Sequence, residues 1–359
     1  MIKSFTYSFL SLMFLISAAL TAQENTFTSY DLLRMKYVVE TSISPDGNFI
    51  SYTVHVPRQL TDEPGKHYRY LYLYDLANEK SVKLLGNKDF ISSIGWMPDS
   101  KSITFRAKLN DDTYTQVYQL PIDSGELEAI TNSTHSVLQY QFSKDGNQLA
   151  FVSTSVVSEE KQNLLESGFD AEIYEEEYLD RNLYLLDLES QSMDPRQLTE
   201  NVSVYDFQWS PDGKQIAAFI ADKNLVDYSY MFKRVYLIDT FSGKRSLHLE
   251  NPGKITQMVW SPDGKHIAFI AASGINDAVT GSLFITEVPS TKKFEELKNY
   301  ADGLEISIRK VDWKDDSTVL FLTEEGVDIS LSEQEIDDAE RKLLIKPGQI
   351  VFSSFDVND

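Results

Sequence analysis

Six copies of one short phrase, spread along most of the chain, decide what it can fold into. They are Ile43-Ser44-Pro45-Asp46-Gly47, Trp96-Met97-Pro98-Asp99-Ser100, Phe142-Ser143-Lys144-Asp145-Gly146, Trp209-Ser210-Pro211-Asp212-Gly213, Trp260-Ser261-Pro262-Asp263-Gly264 and Trp313-Lys314-Asp315-Asp316-Ser317. All four tryptophans of the chain fall at one register position. The fourth residues of the copies (46, 99, 145, 212, 263 and 316) lie 53, 46, 67, 51 and 53 apart, the period of a propeller blade and not of a short solenoid repeat.

Each copy continues in the same way. An apolar strand follows the turn, as in Phe49 to Val54, Gln215 to Ala221 and His266 to Ala271. A second strand rich in aromatic and branched residues comes next, as in Leu71-Tyr72-Leu73-Tyr74 and Val235-Tyr236-Leu237-Ile238. With the strand entering the turn and a short closing strand, such as Arg196-Gln197-Leu198-Thr199, each unit holds four strands. The expected fold class is all-β: a β-propeller of four-stranded blades, with six recognisable repeats and the start of a seventh.

The turn itself is mechanical. Pro presets φ for a type I turn, Asp caps it through its carboxylate, and Gly supplies the positive φ that closes a bulged hairpin. A calcium ladder would need six to eight convergent oxygens, whereas these carboxylates sit one to a unit. The tryptophans are expected to pack between blades.

Residues 1–22 carry Lys3, an apolar stretch from Phe5 to Ile16, and the small residues Ser17, Ala18, Ala19 and Ala22. That is the layout of a secretory signal peptide, and its apolar run is too short to span a bilayer. The expected organisation is therefore a signal at 1–22 and a propeller at 23–359, exported to the periplasm or beyond. With 55 acidic against 33 basic residues, a net charge of −22, the surface is unsuited to nucleic acid or to an anionic membrane face. The chain has no Cys, which removes disulfides, thiolate metal sites, a Cys nucleophile and a lipid-anchor cysteine.

Two places break the pattern. The 67-residue spacing holds an insertion, Ser158 to Asp180, whose many acids face a single Lys161, and short helical turns are expected at Lys161 to Glu166 and Ala171 to Tyr178. Within it Glu175, Glu176 and Glu177 are the candidate substrate-binding residues, able to receive a cation such as a peptide amino terminus; a solvated acidic loop is the alternative. Near the other end, Ser332-Glu333-Gln334-Glu335 has capping-box spacing and predicts a short helix over 332–342. The stretch Val351 to Asp359 then reads as the entry strand of a seventh unit, with Phe355 in the Trp position and Asn358 in the Asp position. A chain stopping there leaves an open sheet edge, so a fragment is expected.

Tyr30-Asp31-Leu32-Leu33, followed by Val38-Val39-Glu40-Thr41-Ser42-Ile43-Ser44-Pro45-Asp46-Gly47, resembles the opening of secreted bacterial members of the prolyl oligopeptidase family, in the acylaminoacyl-peptidase-like branch. Gln116 to Glu126 and Arg196 to Thr199 are similar to the same family's repeats. TolB-like periplasmic propellers share the repeat, and the dipeptidyl peptidase IV amino-terminal domain is of the same kind. The family resemblance implies a propeller of seven or eight blades that gates peptide substrates for a carboxy-terminal α/β-hydrolase domain, absent from this chain. The string Tyr174-Glu175-Glu176-Glu177 looks like the acidic motif by which dipeptidyl peptidase IV relatives hold a substrate amino terminus, although here it stands inside a unit, ahead of Leu183-Tyr184-Leu185.

No Gly-x-Ser-x-Gly elbow occurs, and His55, His67, His135, His248 and His266 are scattered. No catalytic residue, metal ligand or cofactor is therefore assigned, and the chain is expected to be inactive alone. A stand-alone TolB-like propeller acting by protein contact is the alternative. A propeller glycosidase or lyase would need convergent carboxylates, which no spacing predicts.

Overall fold

A computed structural model describes residues 27–359 apart from 110–111, 172, 191, 277–280, 291, 339, 351, 353, 356 and 358–359. The expected signal at 1–22 and the Asp-position residue Asn358 lie outside the described residues.

The repeats fold as six antiparallel blades, each built from consecutive strands. Blade 1 holds β1 (Tyr37–Ile43), β2 (Phe49–Val56), β3 (Tyr68–Asp75) and β4 (Lys80–Leu85). Blade 2 holds β5 (Ser92–Trp96), β6 (Ser102–Ala107), β7 (Gln116–Pro121) and β8 (Glu128–Ala129). Blade 3 follows with β9 (Val137–Phe142), β10 (Gln148–Thr154), β11 (Arg181–Asp187) and β12 (Arg196–Gln197), and blade 4 with β13 (Ser203–Trp209), β14 (Gln215–Ala221), β15 (Arg234–Asp239) and β16 (Arg245–Leu249). Among the described residues blade 5 has three strands, β17 (Ile255–Trp260), β18 (His266–Ala271) and β19 (Ser282–Glu287), and a 3-10 turn at Phe294–Glu296 packs its buried Phe294 ring 4.6 Å from Phe284. Blade 6 comprises β20 (Ser307–Trp313), β21 (Thr318–Glu325), β22 (Asp328–Glu335) and β23 (Lys342–Ile345). First strands of neighbouring blades touch one another (β1 with β5, β9 with β13, β13 with β17, β17 with β20), so they surround the axis.

The helix expected over 332–342 is not formed. Ser332 to Glu335 belong to β22, where Ser330, Ser332 and Gln334 are buried at every second position. A capping-box spacing is only local, and eight-residue pairing with β21 overrides it.

The turns explain themselves atom by atom. The Ser44 hydroxyl donates to Asp46 Oδ1 at 2.6 Å, the same oxygen accepts the Asn48 amide at 3.1 Å, and Ser44 Oγ accepts the Phe49 amide at 2.9 Å. Ser143 with Asp145, Ser210 with Asp212 and Ser261 with Asp263 repeat the arrangement, with Gly146, Gly213 and Gly264 at φ of 70° to 77°. Hydrogen bonding from the serine is the main reason that the Asp46, Asp145 and Asp212 carboxyls lie below the usual range. At Asp263 burial acts upward, but bonds from Lys265 and Ser261 outweigh it and hold the group at about 2. These carboxylates are spent on their own turns. In blade 6 the capping oxygen comes from Asp315, one residue before the expected Asp316, and accepts the amides of Ser317 and Thr318.

The tryptophans join blades as expected. Each indole N–H donates to a backbone carbonyl on the first strand of an earlier blade: Trp96 to Ser42 at 3.2 Å, Trp209 to Gln141 at 3.1 Å, Trp260 to Gln208 at 3.4 Å and Trp313 to Val259 at 3.1 Å. Around these contacts lie five apolar cores, one at each junction from blades 1 and 2 to blades 5 and 6. Among the described residues no core joins blade 6 to blade 1.

The two faces left over differ. In blade 1, Leu71 and Leu73 turn toward blade 2, so the alternate row (Val38, Ile43, Ile50, Tyr52, Val54, Tyr70, Tyr72) points away from it. Val38 is 52% and Ile43, at the Trp register, 40% exposed, while Tyr52 and Tyr72 stack at 5.2 Å. In blade 6, Val311 and Phe321 face blade 5, and Lys310 lies in the opposite row. Its ammonium donates to the Phe355 carbonyl and sits 4.9 Å from the centre of that ring. Phe355 thus rests on blade 6 through Lys310 of β20.

Candidate functional site

Strand alternation gives the ring two ends. The Ser-Pro-Asp-Gly turns join first to second strands at one end, where a cavity of about 680 Å³ is lined by Trp209, Trp260, Trp313, Pro211 and Pro262. Second and third strands are joined at the opposite end, which carries the acidic insertion between β10 and β11.

The insertion is built rather than loose. Helix α2 (Glu159–Glu166; the four-residue Ser29–Leu32 is α1) starts at Ser158, whose Oγ accepts the Lys161 amide at 3.2 Å, with Glu159 and Glu160 at the dipole's positive end. The first of the two expected helical segments is therefore a true helix beginning two residues earlier. The second is only a turn at 174–177, in which the Glu176 amide donates to Ile173 O at 3.0 Å. Lys161 closes the segment by donating to Ala171 O at 3.1 Å and to Glu177 Oε2 at 2.7 Å. The Tyr174 hydroxyl accepts the Val226 amide at 3.1 Å, tying the turn to α3 (Val226–Met231) of blade 4.

These contacts divide the three candidate glutamates. Glu177 is already paired, and its bond from Lys161, helped by the Ile173 amide, holds its carboxyl below the usual range. Glu175 and Glu176 are exposed and, among the described residues, make no ion pair. The arrangement presents two free carboxylates on a turn fixed at both sides, able to receive a cation at that end of the ring.

Two cations that the sequence pattern does not point to stand where the insertion rejoins the sheet. Arg181, the first residue of β11, places its guanidinium carbon 5.0 Å from the centre of the Tyr205 ring, and Lys233, just before β15, places its ammonium 5.8 Å from the same ring. Tyr205 itself donates to Lys223 O and to Asn224 Oδ1, both at 3.1 Å. Its hydroxyl is pushed up to about 12 by burial.

Of the histidines, only His55 and His67 lie together. His55 stacks on Tyr37 at 4.6 Å and lies 4.1 Å from the His67 ring; His135 stacks on Tyr114; His248 bonds Thr286 Oγ1 at 2.9 Å across blades 4 and 5. Among the described residues none of them bonds a carboxylate, and no three His, Asp or Glu converge to hold a metal ion.

No family model matches the chain, and no curated protein matches it. Solved structures do. An acylaminoacyl peptidase of Pyrococcus horikoshii superposes with a TM-score of 0.61 at 14% identity, over 88% of this chain and 47% of that one. The β-propeller domain of the Trilobed protease from Pyrococcus furiosus, described as having an open velcro topology, gives 0.56 at 14% identity, over 87% of this chain and 85% of that domain. The fold is that of the peptidase propellers. TolB from Acinetobacter baumannii is also similar, at 18% identity and a TM-score of 0.47, over 88% of this chain and 64% of that one. The propeller spans about half the length of the acylaminoacyl peptidase it superposes on, and at such identities the likeness concerns fold alone. No helix among its described residues is long and apolar enough to cross a membrane.

Proposed function

We propose that this chain is the propeller part of an exported serine peptidase, gating short peptides for an α/β-hydrolase domain, and that Glu175 and Glu176 receive the peptide's amino terminus. The observation that carries the recognition role is the insertion turn, which holds one glutamate in an internal ion pair and leaves two free on a fixed support. The open ring supports the wider reading. Blade 1 turns an aromatic and aliphatic row outward while Phe355 rests on Lys310 of blade 6, and a further blade would cover both. The peptidase assignment draws on the opening stretch Tyr30 to Gly47 and on the shared fold; residues 1–22 supply the export signal. A stand-alone binding propeller is less well supported, because it leaves the blade 1 face uncovered.

Binding of trialanine to this chain, followed by isothermal titration calorimetry at low salt, tests the glutamates. The double variant Glu175→Gln, Glu176→Gln is expected to weaken trialanine about fivefold, in line with solvent-exposed charge pairs, and to leave N-acetyl-trialanine unchanged. Equal binding of free and acetylated peptide by the unsubstituted chain removes the amino-terminal role.

A further inference from the structure

We propose that Arg181 and Lys233, flanking Tyr205 at the junction of blades 3 and 4, form an anion subsite that takes the carboxylate terminus of a short peptide. The inference rests on the peptide-binding reading above and deepens it to a substrate class: peptides short enough to present both free ends to one end of the ring.

Charge accounting points there first. The chain has 22 more acids than bases, yet these two cations, partly buried and near one another, form no ion pair among the described residues. Arg181 Nε is buried without a hydrogen-bond partner. Leaving guanidinium N–H groups unpaired away from water is costly, and a cation so placed ordinarily has a carboxylate beside it. Burial depresses the proton affinity of both; at Lys233 the charge of Asp206 acts against this and that of Arg181 adds to it.

The local acids meet the two cations unequally. Asp206 acts on Lys233 through space, but its Oδ1 already accepts from Gln139 Nε2 at 2.5 Å and from the Phe207 amide at 2.9 Å, and burial raises its carboxyl. Asp180 accepts from the Ser203 hydroxyl at 3.2 Å. Lys233 therefore shares its field with Asp206, whereas no carboxylate acts on Arg181, and the two cations together put an excess of positive charge beside one ring.

The position selects the ligand. Arg181 directly follows the insertion, and Tyr174, whose turn carries Glu175 and Glu176, lies close enough to Tyr205 to act on its hydroxyl electrostatically. A free dianion would meet the field of the nearby glutamates, whereas a zwitterion brings its own ammonium to them. The planar guanidinium fork suits a carboxylate, and its carbon lies 5.0 Å from the centre of the Tyr205 ring.

Calorimetry with the 359-residue chain at low salt compares trialanine, trialanine amide and N-acetyl-trialanine. The amide, which lacks the terminal negative charge, is expected to bind about tenfold more weakly than the acid. Arg181→Gln and Lys233→Met should each bring the acid down toward the amide's affinity while leaving the amide unaffected. Lys233→Met keeps the aliphatic stem against Tyr205 and Phe219, so it tests the charge even if Arg181→Gln does not fold. Equal binding of acid and amide overturns the subsite, as does a uniform loss for both ligands in the variants, or failure of every ligand to bind. If acetylation has no effect but amidation does, the subsite stands and the amino-terminal role of Glu175 and Glu176 falls.

Discussion

Trp260→Ala is expected to lower the unfolding free energy by about 3–5 kcal/mol, the usual range for emptying a large aromatic site in a core, whereas Ile43→Ala at the same register of blade 1 should cost less than about 1 kcal/mol. Trp260 is 7% exposed, belongs to the core between blades 4 and 5, and donates its indole N–H to Gln208 O. Ile43 is 40% exposed and belongs to none of the five inter-blade cores. The two positions are equivalent in the repeat, so the contrast isolates what an adjoining blade contributes. Urea unfolding of both variants reads it directly. Equal and large losses would mean that the blade 1 face is covered in solution, contradicting the open ring.

The second large effect is expected at Glu40. Its carboxylate reaches from β1 into the next blade and accepts the amides of Ser93 at 3.1 Å and Ile94 at 2.9 Å, just where Ser93 takes a positive φ of 52°. Glu40→Leu removes the acceptor of both amides and should cost about 2–4 kcal/mol; Glu40→Gln keeps one carbonyl oxygen and should cost about 1–2 kcal/mol. Burial raises the Glu40 carboxyl, although the two amides and the charges of Arg69 and Arg106 act against it. A carboxyl that holds its proton more tightly when folded gives most stability at low pH, and this contribution declines as pH rises from the ordinary glutamate range through the raised value. That slope should be absent in Glu40→Gln. Urea midpoints measured from pH 4 to pH 7 check both the size and the sign.

What was legible in the sequence is what the chain encodes locally. The turn signature, the strand alternation and the tryptophan register all depend on neighbours within a few residues, and together they fix six blades. Local spacing also misled: Ser332-Glu333-Gln334-Glu335 meets the requirements of a helix start, but a partner strand was already waiting in β21. Blade 5 takes its buried Phe294 from outside the repeat pattern.

The site was partly legible for the same reason. Three consecutive glutamates in an insertion stand out, but which of them is free depends on Lys161, sixteen residues from Glu177. The Arg181 and Lys233 pair is brought to one ring only by the packing of blade 3 on blade 4. Glu40 and the amides it holds are 53 and 54 residues apart. No periodicity announces such contacts, since they arise from how blades stack and not from how each is built.

The proposal that this propeller serves a serine hydrolase can be tested at the gene. The most direct measurement extends the gene's reading frame beyond Asp359, expresses the longer product and exposes it to a fluorophosphonate probe that labels active serine nucleophiles. A coding region with a Gly-x-Ser-x-Gly elbow is expected, with covalent labelling of that product but not of the 359-residue chain. A frame that stops at Asp359, or a longer product that the probe leaves unlabelled, would contradict it.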